Sequence, residues 1–234
     1  MTDRIPAPVV VTGDHSPWGD AALRWATEYA AATAAPLEVR PPAADPVHDL
    51  MSAGCHAGLL VIGYRGANGT AFGLGRLVLP LVEHAACDVV VVRGTAEALG
   101  RAHRRVTVLL SGDASDDLAL ARAVAYAEQR HVALRVLHAT PPLPVRTDDP
   151  VWPVTHADDV LRGAHHTSVV ARMHPHEAIT RYADTDLLVL AGTGPVTRAA
   201  LHHAPCPVLV AHRHPVDVVP PRSATHDRAA YAVR

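Results

Sequence analysis

Short apolar runs alternate with segments of helical periodicity along this chain. The first run, Pro8–Val11, is continuous and β-branched, which is typical of a strand buried on both faces of a sheet. It ends at residues 12–17, which supply a turn and helix-capping side chains, and apolar positions then recur at helical spacing from Trp18 to Ala34. Further strands are predicted at 37–40, 58–63 and 88–92, and helices at 47–53 and 76–85. This alternation predicts a parallel α/β sheet.

The strand–turn–helix pattern starts again in the second half of the chain. An apolar run at 106–110 is followed by residues 111–115, which correspond position for position to residues 12–16. Strands are then predicted at 132–138, 168–172, 187–190 and 208–211, and helices at 117–130, near 157–163, at 175–183 and at 196–203. We therefore predict a first domain over residues 1–98, a second over 99–214, and a disordered tail over 215–234. The Pro-rich segment 140–153 is predicted to be an exposed, mobile loop.

Charge and hydropathy exclude several classes of function. The 234 residues carry a formal net charge of −2 with acidic and basic side chains interspersed, so we expect no broad basic face for nucleic acid. No apolar run reaches the roughly 20 residues that a membrane-spanning helix needs, and residues 1–8 lack the pattern of a secretory signal. These features predict a cytoplasmic protein that binds neither nucleic acid nor a membrane.

Cysteine and histidine are the candidate metal ligands. Cys55, Cys87 and Cys206 share no metal-type spacing and are predicted to be buried thiols. The histidine pairs 174/176 and 212/214 could each place two imidazoles on one face of an extended segment. Because no acidic or Cys partner completes either pair, we expect adventitious metal affinity and predict no functional metal site.

Four motifs follow one another in the first half of the chain. They are Val-Val-Val-x-Gly-Asp-x-Ser at 9–16, Ala-Ala-Leu-Arg-Trp-Ala at 21–26, Gly-x-x-Gly at 63–66 and His-Ala-x-Cys-x-Val at 84–89. The first and the last recur, at 106–115 and 203–208. Together they resemble the universal stress protein, or UspA-like, family over residues 8–93 and again over 105–212.

The resemblance implies two open, parallel-sheet, Rossmann-like domains in tandem, with helices on both faces of each sheet. Family domains commonly dimerise through their last strand, so the strands at 88–92 and 208–211 are expected at the contact between the halves, and a homodimer of whole chains stays open. Only residues 37–57 lie between the first helix and the strand at 58–63. The first half is therefore expected to lack one strand and one helix that the second half retains.

The resemblance also implies where ATP or another adenine nucleotide would bind. Family members place an Asp near the adenine and hold the phosphates on a loop of form Gly-x-x-Gly-(nine residues)-Gly-Ser, where backbone N–H groups and a helix N-terminus attract anions. The candidate binding residues here are Thr12, Asp14, Val39, Ile62, Gly63, Arg65, Gly66, Gly75, Arg76 and Leu77. The match is incomplete, because eight residues separate Gly66 from Gly75 and Arg76 stands where the family has Ser. Arg76 could instead offer a phosphate a charge-assisted contact.

A purely structural interpretation of these residues stays open. Asp14 and Ser16 could simply cap the first helix, and the glycines could be turn residues of a surface loop. In the second half, residues 191–196 pass almost directly from a strand into a helix, which leaves no room for a phosphate cradle. Asp113 there is predicted to be a capping residue.

Three functions remain open from the sequence. The chain could be a regulatory protein that binds one adenine nucleotide in its first half, or a ligand-independent interaction module with vestigial sites. It could also be a degenerate member of the family recruited as an enzyme or as a binder of another small molecule, although no catalytic constellation is visible.

Overall fold

The computed structural model describes residues 6–65, 74–140 and 151–213. Nine strands form one continuous sheet: β1 (Val9–Thr12), β2 (Leu37–Arg40), β3 (Leu59–Gly63), β4 (Asp88–Val92), β5 (Arg105–Leu110), β6 (Ala133–Thr140), β7 (His166–Arg172), β8 (Leu187–Ala191) and β9 (Val208–Ala211). The helices are α1 (Pro17–Thr33), α2 (Pro46–Gly54), α3 (Val78–His84), α4 (Ala96–Leu99), α5 (Asp116–Arg130), α6 (Trp152–Val160), α7 (Pro175–Arg181) and α8 (Pro195–His203). The strand order is β2-β1-β3-β4-β9-β8-β5-β6-β7.

Every strand pair within a half is parallel, and the two halves join through one antiparallel pair. β4 lies beside β9 with Val90 opposite Leu209. This confirms the prediction that the last strands of the halves meet. It also means that the parallel strands of the first half run opposite to those of the second.

Side chains from both halves stabilise this seam. The Asp88 carboxylate, which is 6% exposed, accepts hydrogen bonds from Arg122 Nε at 2.7 Å and from the His212 backbone N–H at 2.8 Å. On the same face, Tyr126 of α5 stacks with Trp25 and Tyr29 of α1, with ring centroids 6.3 and 6.1 Å apart. The halves therefore share a hydrophobic core rather than packing as separate bodies.

The halves differ by one strand–helix unit within the described residues, as the spacing of the sequence predicted. From the seam outward, β4, β3, β1 and β2 correspond to β9, β8, β5 and β6, and β7 has no counterpart. α2 packs against α3 as α7 packs against α8, so α6 is the described helix of the second half that has no counterpart in the first. The confirmed fold is α/β with a shortened first half.

Several local predictions need correction. Cys55 is exposed, whereas Cys87 and Cys206 are buried as predicted, because Cys55 is the C-cap of α2 and faces away from the sheet's core. α6 begins at Trp152, five residues before the predicted helix, and its first turn contains part of the segment predicted to be a loop. α4, between the halves, was not predicted. Residues 141–150 and 214–234 lie outside the described residues, so their predicted mobility is not tested.

No described helix combines the length and the apolar character that crossing a membrane requires.

Candidate functional site

The turn between β1 and α1 is held by a short chain of hydrogen bonds. Ser16 is the N-cap of α1, and its hydroxyl oxygen accepts the Gly19 N–H at 2.9 Å. The same hydroxyl donates to Asp14 Oδ1 at 2.7 Å, and the Ser16 backbone N–H donates to that oxygen at 3.1 Å. The predicted cap is thus Ser16, and Asp14 orients it. Capping and a ligand role are compatible for Asp14, since these contacts use one of its two oxygens.

The end of β3 lies unusually close to the start of α1. A Cβ at Gly63 would meet the carbonyl carbon and oxygen of Trp18 at 2.8 Å, so a side chain there would force the backbone to move. The base of the following loop is closed by the Gly75 N–H, which donates to the Tyr64 carbonyl at 3.0 Å. The glycines 66 and 69 lie outside the described residues. Gly63 and Gly75 therefore bring three chain segments together at the carboxyl end of β3.

These elements surround a cavity of about 810 Å³ at the carboxyl ends of β1, β2 and β3. We call it the first-half cavity. Six of the candidate residues line it: Thr12, Asp14, Gly63, Gly75, Arg76 and Leu77. The volume lies within the roughly 300–1,000 Å³ typical of small-molecule sites, and the position is the one where open α/β sheets bind ligands.

The other candidates lie elsewhere. Val39 is 50% exposed on the edge strand β2, beside Gly13. Ile62 is fully buried in the core on the α2 and α3 side of the sheet. Arg65 lies over the Tyr64 ring and lines a second cavity at the seam. Gly66 is outside the described residues.

Arg40 is a lining residue that the sequence analysis missed. It pairs with Thr12 in the parallel register of β1 and β2, which brings it to the same edge of the sheet as Asp14. Its guanidinium nitrogens lie 3.8 Å from the carboxylates of Glu38 and Asp49, beyond normal hydrogen-bond distance. A search for the last residue of each predicted strand would have found it, because parallel strands end at one edge.

The cavity wall contains both signs of charge. Arg40 and Arg76 face three carboxylates, those of Asp14, Asp45 and Asp49. Asp45 caps α2 by accepting the His48 N–H at 3.1 Å. With Asp45 engaged by a helix and Asp49 beside Arg40, Arg76 is the guanidinium best placed to attract an anionic ligand.

Solved structures show which architecture this is. A universal stress protein from Archaeoglobus fulgidus matches with a TM-score of 0.67 and 16% identity, over 88% of this chain and 98% of that one. The chain has the universal stress protein fold. A protein of unknown function from Pseudomonas aeruginosa matches with a TM-score of 0.55 and 13% identity, over 87% of this chain and 81% of that one. A universal stress protein from A. fulgidus in complex with dAMP matches 46% of this chain and 97% of its own, with a TM-score of 0.41 and 22% identity. No protein-family model matches the sequence, and no curated protein matches it.

The second half of this universal stress protein fold has a much shorter connection at the corresponding point. β8 ends at Ala191 and α8 begins at Pro195, with Gly194 as its N-cap. The Thr197 hydroxyl donates to the Gly192 carbonyl at 2.8 Å, which ties the connection to the first turn of α8. Three residues between strand and helix leave no room for a phosphate-binding loop, as predicted.

Asp113, the counterpart of Asp14, is engaged locally. Its carboxylate accepts hydrogen bonds from the Ser115 N–H at 2.7 Å, from the Ser115 hydroxyl and from the Ser111 hydroxyl. Burial opposes ionisation, but these hydrogen bonds outweigh it and lower the pKa of Asp113. Ser115 occupies the N-cap position of α5 without a side-chain capping hydrogen bond, so Asp113 stabilises the turn before α5 and is not the predicted cap.

Helix α6 covers the second-half turn. A Cβ at Gly112 would lie 3.5 Å from Pro153 of α6 and 3.8 Å from the ring of His138. His156, one turn further along α6, forms a 2.7 Å hydrogen bond with Asp117 of α5. The described part of the first half has no helix corresponding to α6, and the first-half cavity lies beside the equivalent turn, at Gly13 and Asp14.

Among the described residues no three His, Cys, Asp or Glu side chains are arranged to hold a metal ion. The predicted pair 174/176 does come together, with ring centroids 5.8 Å apart, and His203 lies 5.8 Å from His176. His212 instead bonds to the Val82 carbonyl at 2.9 Å and packs at the seam, and its predicted partner, residue 214, is outside the described residues.

Proposed function

We propose that this chain is a universal stress protein-like regulatory protein that binds one adenine nucleotide in the first-half cavity. The observation that carries the proposal is the convergence of Asp14, Gly63, Gly75 and Arg76 on one cavity of about 810 Å³ at the carboxyl edge of the sheet. Residues from three separate points of the chain meet there, and one of them is a cation.

The roles follow from the chemistry of each group. The carboxylate of Asp14, fixed by Ser16, is placed to accept a hydrogen bond from an adenine amino group or a ribose hydroxyl. Gly63 and Gly75 keep the backbone around the cavity free of side chains, and Arg76 would bind phosphate oxygens. Arg40 would add a second positive charge on the β2 side of the cavity.

Nucleotide binding at this site would regulate the protein rather than begin a catalysed reaction. The first-half cavity is lined by the end of β3, and β3 pairs with β4, the strand at the seam, so a ligand there would stabilise the folded first half next to the seam. A cytoplasmic location and a homodimer of whole chains stay predictions.

Calorimetric titration with AMP, ADP and ATP tests the proposal. We expect one site per chain, since the glycine-rich loop and the cavity of about 810 Å³ both belong to the first half, and the described connection from β8 to α8 in the second half is only three residues long. Arg76→Ala should weaken binding about tenfold or more, because a hydrogen bond to a charged group contributes roughly 1.5–3 kcal/mol. Asp113→Ala, the matched change in the second half, should alter the affinity less than about twofold.

Three outcomes would contradict the proposal. Two equivalent sites per chain would show that the second half also binds. An Arg76→Ala variant with parental affinity would place the phosphates elsewhere. No heat with any nucleotide would favour the ligand-independent interaction module.

A further inference from the structure

Two strands form the edges of the described sheet, β2 in the first half and β7 in the second. Within the described ranges, β2 pairs with β1 alone and β7 pairs with β6 alone. An edge strand presents a row of backbone N–H and C=O groups with which a further strand can pair. Each edge is therefore a candidate surface for contact with a second chain.

Two residues of β2 direct their backbone groups away from the sheet. The Arg40 carbonyl accepts the Gly13 N–H at 2.9 Å, and the carbonyl of Pro36, just before β2, is likewise bonded to β1. The hydrogen-bonding groups of successive residues in a strand point to alternate sides. The N–H and C=O groups of Leu37 and Val39 consequently face outward, where the described part of the chain supplies no strand.

The helices of the first half lie inward from this edge. α1 has its main contacts with β1 and β3 and fewer with β2, and α2 packs on β3 and α3. Val39 is 50% exposed, and the other residues of β2 are partly exposed. These positions leave the outer side of β2 open to a further strand within the described structure.

The order of side chains along β2, Leu-Glu-Val-Arg followed by Pro41, suits antiparallel pairing with a second copy of itself. If the two copies of Val39 lie opposite each other, Glu38 of each copy lies opposite Arg40 of the other, and Leu37 lies opposite Pro41. The charged residues then occupy the non-hydrogen-bonded positions, where opposed side chains approach most closely. One face of this interface is thus apolar, and the other pairs opposite charges.

The same register also satisfies the outward backbone groups. Each Val39 N–H would donate to the Val39 carbonyl of the other copy, and each Leu37 N–H would donate to the carbonyl of Pro41. Pro41 has no N–H to donate, so the pairing ends there. The hydrogen bonds between β1 and β2 are unaffected, because they use the groups on the opposite side of the strand.

The charged side chains of β2 are incompletely bonded within one chain. Arg40 Nη2 lies 3.8 Å from the Glu38 carboxylate, and Arg40 Nη1 lies 3.8 Å from that of Asp49, both beyond hydrogen-bond distance. Arg40 Nε is buried and has no hydrogen-bond partner among the residues that the structure describes. Glu38 of a second copy would bring a further carboxylate to this guanidinium.

The other edge lacks this complementarity. β7 has the sequence His-Thr-Ser-Val-Val-Ala-Arg and contains no acidic residue, so antiparallel pairing of two β7 strands places no opposite charges side by side. The His166 side chain of β7 is already bonded to Asp158 at 2.9 Å. β2 is therefore the edge whose own sequence favours a second copy.

We propose that two copies of this chain associate through antiparallel pairing of their β2 strands, which joins the two sheets into one. Because Arg40 lines the first-half cavity, Glu38 of the second copy then lies at the rim of that cavity. A strand of four residues buries less than the roughly 1,200 Å² of a stable interface, so the dimer dissociates on dilution. The association is independent of nucleotide binding.

Sedimentation velocity of the full chain without nucleotide, from about 1 µM to about 500 µM, tests this proposal. We expect a reversible equilibrium between monomer and dimer. Val39→Pro removes an N–H that β1 does not use, and an edge strand tolerates proline at such a position, so this variant should fold and dimerise about tenfold or more weakly. Thr167→Arg, at an exposed position of β7, is the control and should change the dimer affinity less than about twofold.

A mixture of two charge variants separates pairing between chains from any role within one chain. Glu38→Arg carries two basic residues on the charged face of β2, and Arg40→Glu carries two acidic ones, so each variant should associate with itself about tenfold more weakly than the parent does. In an equimolar mixture every charge meets its opposite across the interface. The mixture should therefore associate about as strongly as the parent.

Several results would overturn the proposal. A parent that stays monomeric over the whole concentration range would do so, as would parental association in Val39→Pro. Association that is lost in Thr167→Arg and kept in Val39→Pro would assign the interface to β7. Circular dichroism must show that each variant is folded, and if Arg40→Glu is not, Val39→Pro and Glu38→Arg decide. Because no nucleotide is present, failure of this proposal leaves the AMP titration to be judged by itself.

Discussion

The turn after the first strand has the same hydrogen bonds between Asp and Ser in both halves, but its surroundings differ. In both, the turn after the first strand contains an Asp that accepts hydrogen bonds from a Ser two residues later. In the second half α6 lies over that turn, whereas the first half has no α6 within the described residues and a cavity of about 810 Å³ instead. The half with fewer described strands and helices therefore contains the cavity, and in the half with α6 this helix covers the corresponding turn.

The first test concerns a feature that the two halves share, the buried cysteine before the last strand of each half. Cys87 precedes β4 and Cys206 precedes β9, and burial raises the pKa of each thiol to about 12. At pH 8 only about one thiol in ten thousand would then be ionised, so both should react with a thiol reagent at least about a thousandfold more slowly than the exposed Cys55.

A colorimetric disulfide reagent should therefore titrate one thiol per folded chain and three after denaturation. Cys55→Ser is the control and should remove the fast phase. A second fast thiol that survives in Cys55→Ser would show that the seam is open in one half.

The second test breaks the first-half turn. A Cβ at Gly19 would lie 1.9 Å from Asp14 Oδ1 and 3.2 Å from the Ser16 hydroxyl, so Gly19→Ala should displace both side chains. We expect a loss of about 0.5–2 kcal/mol from the disturbed N-cap, and AMP binding about tenfold weaker. Urea unfolding and calorimetry measure the two effects.

Asp20→Ala changes an exposed neighbour in the same turn and is the control for the AMP effect. If Gly19→Ala binds AMP as tightly as the parent does, Asp14 has no part in the site.

The third test compares corresponding strand ends. Gly63 is the last residue of β3, and Ala191 is the last residue of β8. A Cβ added at Gly63 would lie 2.8 Å from the Trp18 backbone of α1. Gly63→Ala should cost about 1–3 kcal/mol through crowding against Trp18, and Ala191→Gly about 0.5–1 kcal/mol through chain entropy. Equal midpoints in urea for Gly63→Ala and the parent would mean that α1 can move away at no cost.

The smallest expected effect concerns the hydrogen bond that joins α5 to α6 in the second half. Asp117→Asn weakens the hydrogen bond from α5 to His156 of α6, a pair that is largely exposed, so we expect a loss of only about 0.2–1 kcal/mol. Amide exchange in α6 should nevertheless become faster. Asp159→Asn removes a pair with Arg162 that does not bridge to α5 and should leave exchange at the start of α6 unchanged.

The strands and the missing unit could be predicted because they depend on local pattern. Continuous β-branched runs such as residues 88–92 are compatible with little besides a buried strand, and the short stretch at 37–57 limits how many elements fit. The convergence of Asp14, Gly63, Gly75 and Arg76 could likewise be expected once the strands were parallel.

What could not be predicted depends on tertiary packing. Whether Arg65 faces the first-half cavity or the seam is decided by the Tyr64 ring, whose position follows from Trp18 and Arg93. The cover by α6 was missed because its first turn, around Trp152 and Pro153, is Pro-rich and resembles a loop. Cys55 sits at a helix end in an apolar segment, and only the orientation of α2 shows that it faces outward.

The antiparallel pairing of β4 and β9 gives the chain an approximate internal twofold axis, and this changes what a single mutation can do. In a symmetric pair of identical chains, every substitution alters both copies of a site, so the two copies cannot differ in sequence. Within one chain, the same substitution occurs once. The two sides of the axis can therefore differ within one sheet: Gly192–Gly194 alone join β8 to α8, whereas residues 64–77 join β3 to α3.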